Sequence, residues 1–298
     1  MRLKKLPGAK FIFRVVVGTV MTTAVMSATL RAQTIRGTLV VAVPAREGLI
    51  TCADKRLFNV DTGTYRDDAV KIARVNENVL FVATNTIGFY DSKEKKIAFD
   101  AFRVTSNYAS RNRFNPGRAF WDGLKTDIRK RLNEYFSARE YAEWPESDST
   151  NSNLLFNLIF YSVDGGRGRS YTLQVFYEKK STPVISITGP VSEEIRSPKL
   201  SGKGRELMSY IARNPSLGAE PSILKFDETR FDIQRTSIED AVEFSRTLFR
   251  LASTGIPKAQ ISSVFDCALL SHKQGFRWIE GGTVNSSRRH GGSTEDAL

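Results

Sequence analysis

Histidine and cysteine are scarce: His272, His290, Cys52 and Cys267 are the only ones in 298 residues. A dedicated zinc or iron site needs clustered thiolate and imidazole ligands, so none is expected. The chain has no His-Glu-x-x-His and no Gly-x-Ser-x-Gly, which removes two common hydrolase signatures. It also lacks a phosphate loop. Ser201-Gly-Lys-Gly-Arg205 has neither the spacing nor the closing Lys-Ser/Thr, and Gly165-Gly-Arg-Gly-Arg169 reads as a hairpin turn. No helix-turn-helix, zinc-finger or ribonucleoprotein pattern is present, so the formal charge of +12 does not imply a nucleic-acid partner. A mean hydropathy of −0.29 excludes a polytopic membrane protein.

Acidic residues are missing altogether from the first 32 positions, which hold Arg2, Lys4, Lys5, Lys10, Arg14 and Arg31. These six charges account for half of the excess, so the rest of the chain carries +6 rather than +12. Residues 1–14 are basic, 15–30 are apolar or small without charge, and Ala32 offers a small residue for cleavage. This order reads as a signal peptide over 1–32, with cleavage after Ala28 as the alternative site. Export to the periplasm or beyond is the expected localisation. A membrane association would follow only if the leader stayed uncleaved. In an exported protein Cys52 and Cys267 can pair, and two buried free thiols fit their apolar, strand-like runs equally well.

The remainder alternates strand and helix signals. Residues 38–43 and 49–53 are β-rich runs separated by a turn, as are 69–75 and 78–84. The stretch 91–116 is charged and irregular, with short strands as its expected structure. In 118–136 the residues Phe120, Trp121, Leu124, Ile128, Leu132 and Phe136 recur at helical spacing, and that stripe is read as core. A hairpin is predicted for 154–163 and 170–178, a strand for 183–188, helices for 204–212 and 237–252, and a closing strand pair for 264–270 and 276–279. Ser237 with Asp240 resembles a capping box. Gly, Ser and charge dominate 281–298, which is expected to be a disordered tail.

One ordered set of residues points to chemistry. Gly37-Thr38 opens an alternating strand, Ala53-Asp54-Lys-Arg56 ends the next, and Lys71-Ile72 opens the following pair. Thr38 and Asp54 stand sixteen positions apart. Over residues 37–84 this resembles the start of a mature proteasome-type (peptidase T1-like) subunit of the N-terminal nucleophile hydrolases; beyond that only element order corresponds. Lys71 falls one residue later than the family spacing. The resemblance implies an α+β fold, a four-layer αββα sandwich over 38–280, behind a short propeptide at 33–37. It also implies cleavage at Gly37–Thr38, self-association into a homo-oligomer, a peptide or amide substrate, and no metal or organic cofactor.

The residue types suit that chemistry. A threonine hydroxyl needs a base, and a free α-amino group on the same residue titrates near neutrality. Gly37 leaves its carbonyl open to attack. Lys71 would lower the proton affinity of amine and hydroxyl, and Asp54 would orient Lys71. Arg56 would brace the loop. Asn85, in Ala83-Thr84-Asn85-Thr86, stands where the family uses a glycine to line an oxyanion hole, and asparagine tolerates the required backbone angles. Other positions depart from the pattern. Gly202-Lys203 replaces a Gly-Ser pair, and Ile256 and Ala259-Gln260-Ile261 replace a supporting Asp and a Ser-Gly-Gly run. The first expectation is therefore an exported threonine peptidase. The alternative is a catalytically inactive binding or assembly module.

Overall fold

The structure, a computed structural model, describes residues 33–36 (backbone only), 38–59, 63–91, 96–140, 154–226, 231–256 and 261–281. The predicted signal peptide, Gly37 and all of the predicted tail beyond Gly281 lie outside the described residues. Among the described residues no helix is long and apolar enough to cross a membrane.

Fourteen strands pair antiparallel throughout the described residues. They are β1 (Gln33–Arg36), β2 (Leu39–Ala45), β3 (Gly48–Asp54), β4 (Leu57–Asn59), β5 (Tyr65–Arg66), β6 (Ile72–Asn76), β7 (Val79–Asp91), β8 (Lys96–Asp100), β9 (Leu154–Asp164), β10 (Arg167–Glu178), β11 (Val184–Glu194), β12 (Lys199–Gly202), β13 (Phe265–Ser271) and β14 (Gly275–Glu280). One network runs β11-β10-β9-β7-β1-β4-β5, with β6 and β8 also on β7. The other runs β12-β2-β3-β13-β14. β7 changes partners along its length. Val79–Asn85 pairs with β9, whereas Thr86 and Gly88–Asp91 meet β1 and β8, so the larger network divides into two sheets that share this strand.

The helices are α1 (Ala101–Arg111), α2 (Arg118–Ser137), α3 (Gly204–Arg213), two four-residue turns, α4 (Pro215–Gly218) and α5 (Pro221–Leu224), and α6 (Ile238–Gly255). α2 buries the predicted stripe against the larger network, where Phe120, Trp121 and Phe160 make edge contacts. α6 begins with a capping box in which Ser237 Oγ accepts from Asp240 N and Asp240 Oδ2 accepts from Ser237 N, both at 3.1 Å. Its apolar face, with Leu248 and Phe249, packs on β2, β3 and β13. A third cluster, including Val40, Ala42, Leu80, Val82 and Ile159, fills the space between the two networks. Full burial of each such aliphatic or aromatic side chain contributes about 1.5–3 kcal/mol.

Two expectations need correction. The expected α+β, four-layer αββα sandwich is replaced by a β-rich fold. Among the described residues strand makes up 43% and helix 32%, in three antiparallel sheets with few helices. The cause is strand length. β7 and β9–β11 run 11–13 residues, while beside the longer α2 and α6 the helix α3 has ten residues and α4 and α5 have four each. The stretch 91–116 is also more regular than its charge suggests. It holds β8 and α1, and Asp100 caps that helix by accepting from Arg103 N at 2.9 Å.

Candidate active site

Antiparallel pairing of β2 with β3 sets Val40 opposite Ala53 and so brings the head of β2 beside the end of β3. Asp54, fully buried, uses this register. Its Oδ1 accepts from Leu39 N at 2.7 Å, directly after Thr38, and its Oδ2 accepts from Arg56 N and from Lys71 Nζ, each at 3.0 Å. Lys71, at the entrance to β6, also donates to the Arg56 carbonyl. Thr38, Asp54 and Lys71 are 1%, 0% and 3% exposed, so the ion pair lies in a dry site. One carboxylate thus links the lysine to the peptide bond that follows Thr38.

Burial is the largest influence on both members of the pair. It pushes the Lys71 ammonium below the usual lysine range and the Asp54 carboxyl above the usual carboxylate range. Their mutual attraction opposes both shifts, and the Leu39 and Arg56 N–H groups further oppose that of Asp54. A lysine with a weakened hold on its proton, joined through Asp54 to the backbone that follows Thr38, suits electrostatic activation of a hydroxyl or amine.

Thr38 is held from its other side by the β12–α3 corner. Its carbonyl accepts from Lys203 N at 3.1 Å. Gly202 has φ +69, and a Cβ there would stand 2.0 Å from the Thr38 oxygen, so both the backbone angle and the space require glycine. The same hypothetical Cβ would stand 3.4 Å from Thr84 Cβ, which places β7 against this corner. Asn85 follows with φ +72, at the point where β7 changes partners. That left-handed backbone is the angle expected of a residue replacing glycine.

Arg56 braces the loop through its side chain. Its Nε and Nη2 reach the two oxygens of Asp67 at 2.7 and 2.6 Å, a bidentate pair. Its guanidinium lies 4.0 Å from the Tyr65 ring centroid, and Nη1 donates to the Ile261 carbonyl at 3.4 Å. The Arg56 guanidinium holds the Asp67 carboxyl below the usual range, with a smaller contribution from Ser262. This clamp fixes the Arg56 carbonyl that receives Lys71.

Asp67, Tyr65 and Ser262 escape a reading of the sequence. Asp67-Asp68 looks like a solvated turn, and Ser262 is nearly two hundred positions away from it. The departures seen in the sequence have structural counterparts. Ile256 and Ile261 are buried apolar residues, and the Lys203 ammonium turns to Glu206 at 2.8 Å. Ala259, Gln260 and Gly37 lie outside the described residues. No protein-family model matches this chain, and no curated protein matches it in sequence.

Proposed function

We propose that this chain is an exported threonine amidohydrolase acting on peptides, activated when the Gly37–Thr38 bond breaks. The observation that carries the reading is the buried Asp54 carboxylate, which joins Lys71 to the backbone beside Thr38. The chemistry needs that local arrangement and makes no demand on the layering of the fold.

Activation begins as the Thr38 hydroxyl attacks the Gly37 carbonyl. The peptide nitrogen leaves as the Thr38 amine, and water hydrolyses the resulting ester, releasing the carboxylate at Gly37. The freed amine then takes the Thr38 hydroxyl proton while the oxygen adds to a substrate carbonyl. Lys71 stabilises the developing charge, and the Asn85 N–H is the donor for the oxyanion. The amine passes its proton to the departing substrate nitrogen, and water completes hydrolysis of the acyl ester.

Strand β1 supports an extended polypeptide as substrate. It lies between β4 and β7, antiparallel to both, with Arg36 opposite Phe58 and Thr86. Residues 33–36 are the expected propeptide, so the segment before the scissile bond already occupies a strand-shaped slot that leads to Thr38. A peptide bound there gains main-chain hydrogen bonds from two neighbours.

The test is the intact mass of the purified mature protein with turnover of a peptide library. A chain that begins at Thr38 and cleaves peptides, with both properties lost in Thr38→Ala, is expected. A chain that stays at Gln33 and cleaves nothing overturns the reading. Buried Ile256 and Ile261, where the family resemblance calls for polar support, favour the inactive binding or assembly module as the second reading. In that case Thr38→Ala leaves the biological role intact.

A further inference from the structure

A line of uncharged polar side chains crosses four strands beside Thr38. Thr84 on β7 is opposite Asn157 on β9, Asn157 is opposite Gln174 on β10, and Gln174 is opposite Thr188 on β11. Directly opposed residues share a face of the sheet. Gln174 Nε2 donates to Asn157 Oδ1 at 3.3 Å, and Asn157 Nδ2 donates to Thr84 Oγ1 at 3.4 Å. Exposure grades along the line. Thr84 is fully buried, Asn157 and Gln174 are partly exposed, and Thr188 is exposed. The row therefore leads from solvent to the corner where Gly202 meets both Thr38 and Thr84.

Direction along β7 gives the row a role. β1 runs from Gln33 to Arg36 as β7 is met from Tyr90 back to Thr86. A chain continuing in that direction passes Asn85 and then reaches Thr84. In the intact protein the chain instead continues into β2, which opens with Leu39. A separate substrate is not so tied, and its residues after the scissile bond continue in line toward Thr84. Carboxamides and a hydroxyl also retain donor and acceptor capacity beyond the two bonds they make with one another.

We propose that Thr84, Asn157 and Gln174 form the leaving-side subsite, which takes uncharged polar side chains, hydroxyl or carboxamide, in the first two residues after the scissile bond. The proposal rests on the threonine-hydrolase reading. A polar row that makes hydrogen bonds discriminates against a residue that leaves its groups unpaired.

The experiment uses the mature protein and peptides identical before the scissile bond, with Ser-Gln, Leu-Leu or Glu-Glu after it. The readout is the ratio of kcat/KM between peptides, which a general loss of folded protein does not move. Wild type should favour Ser-Gln by about tenfold, the effect of one or two well-made hydrogen bonds. Asn157→Leu and Gln174→Met should each bring that ratio close to one. Gln174, at the half-exposed rim, keeps the test valid if Asn157→Leu does not fold. A wild type without preference, or variants that retain it, overturns the subsite while the hydrolase stands. A mature chain that cleaves none of the peptides overturns both.

Discussion

A lysine with almost no solvent keeps its charge only beside a compensating anion, and Asp54 is the partner of Lys71 at 3.0 Å. Removing one member strands the other. Lys71→Met should lower the unfolding free energy by about 3–5 kcal/mol, because Asp54 then remains buried without its cation. The double change Asp54→Asn with Lys71→Met should recover part of that loss, as read from urea denaturation midpoints. Equal loss in both would mean the pair contributes nothing through its charge. The Arg56–Asp67 pair gives a pH signature. Asp67 has a folded pKa below its unfolded value, so its stabilisation is complete above the unfolded value of about 3.9 and is lost as pH falls through the folded one. The stability gap between wild type and Asp67→Asn should therefore be largest near neutrality and narrow below about pH 4. Constant-gap melting curves across that window would contradict it. Thr38, Asp54 and Lys71 were legible in the sequence because short strands fix their separations. Asp67 was not, since its partner is set by the path of an irregular loop.

At the scale of elements, a long apolar stripe announced itself and a short one did not. The α2 stripe of Phe, Trp, Leu and Ile reads directly as a helix face. α1 fully buries only Ala101, Thr105 and Ala109, while its larger residues Phe102, Val104 and Tyr108 are partly buried against the same core, so its helical face is carried by a few residues in a stretch otherwise rich in charge. The Tyr108 hydroxyl of this helix reaches Gly123 of α2, where a Cβ would require that side chain to move. The cysteines show the same limit. Both lie in strands that the sequence identifies, yet their state depends on register: Cys52 and Cys267 are directly opposed on β3 and β13 and form a disulfide across 215 positions. The bridge joins the strand that ends in Asp54 to the strand on its far side. Replacing both cysteines with alanine should lower stability by about 2–4 kcal/mol, measured by guanidinium unfolding of the oxidised protein. An unchanged midpoint would show that the bridge is not formed in solution.

For the whole molecule, the decisive relation is between β1 and the strands on either side of it. The proposed cleavage before Thr38 would free this strand and leave the facing edges of β4 and β7 without it. The peptide Gln-Thr-Ile-Arg-Gly, added to protein that begins at Thr38, should raise its melting temperature in proportion to occupancy, with stabilisation of about 2.7 kcal/mol at a hundredfold excess over Kd. The same peptide with proline in place of isoleucine lacks a ladder donor and should have a much smaller effect. Equal shifts from the two peptides would show that binding does not use the strand slot. By itself, the sequence determined where most strands and long helices lie and how Thr38, Asp54 and Lys71 are spaced, because periodicity and short-range separation are local properties of a chain. Only the tertiary structure decided that strands outweigh helical layers, that the cysteines are joined, that Asp67 clamps Arg56 and that β1 lies between β4 and β7 ahead of Thr38. Each of those depends on which distant segments meet, and burial of their shared surfaces selects the pairing.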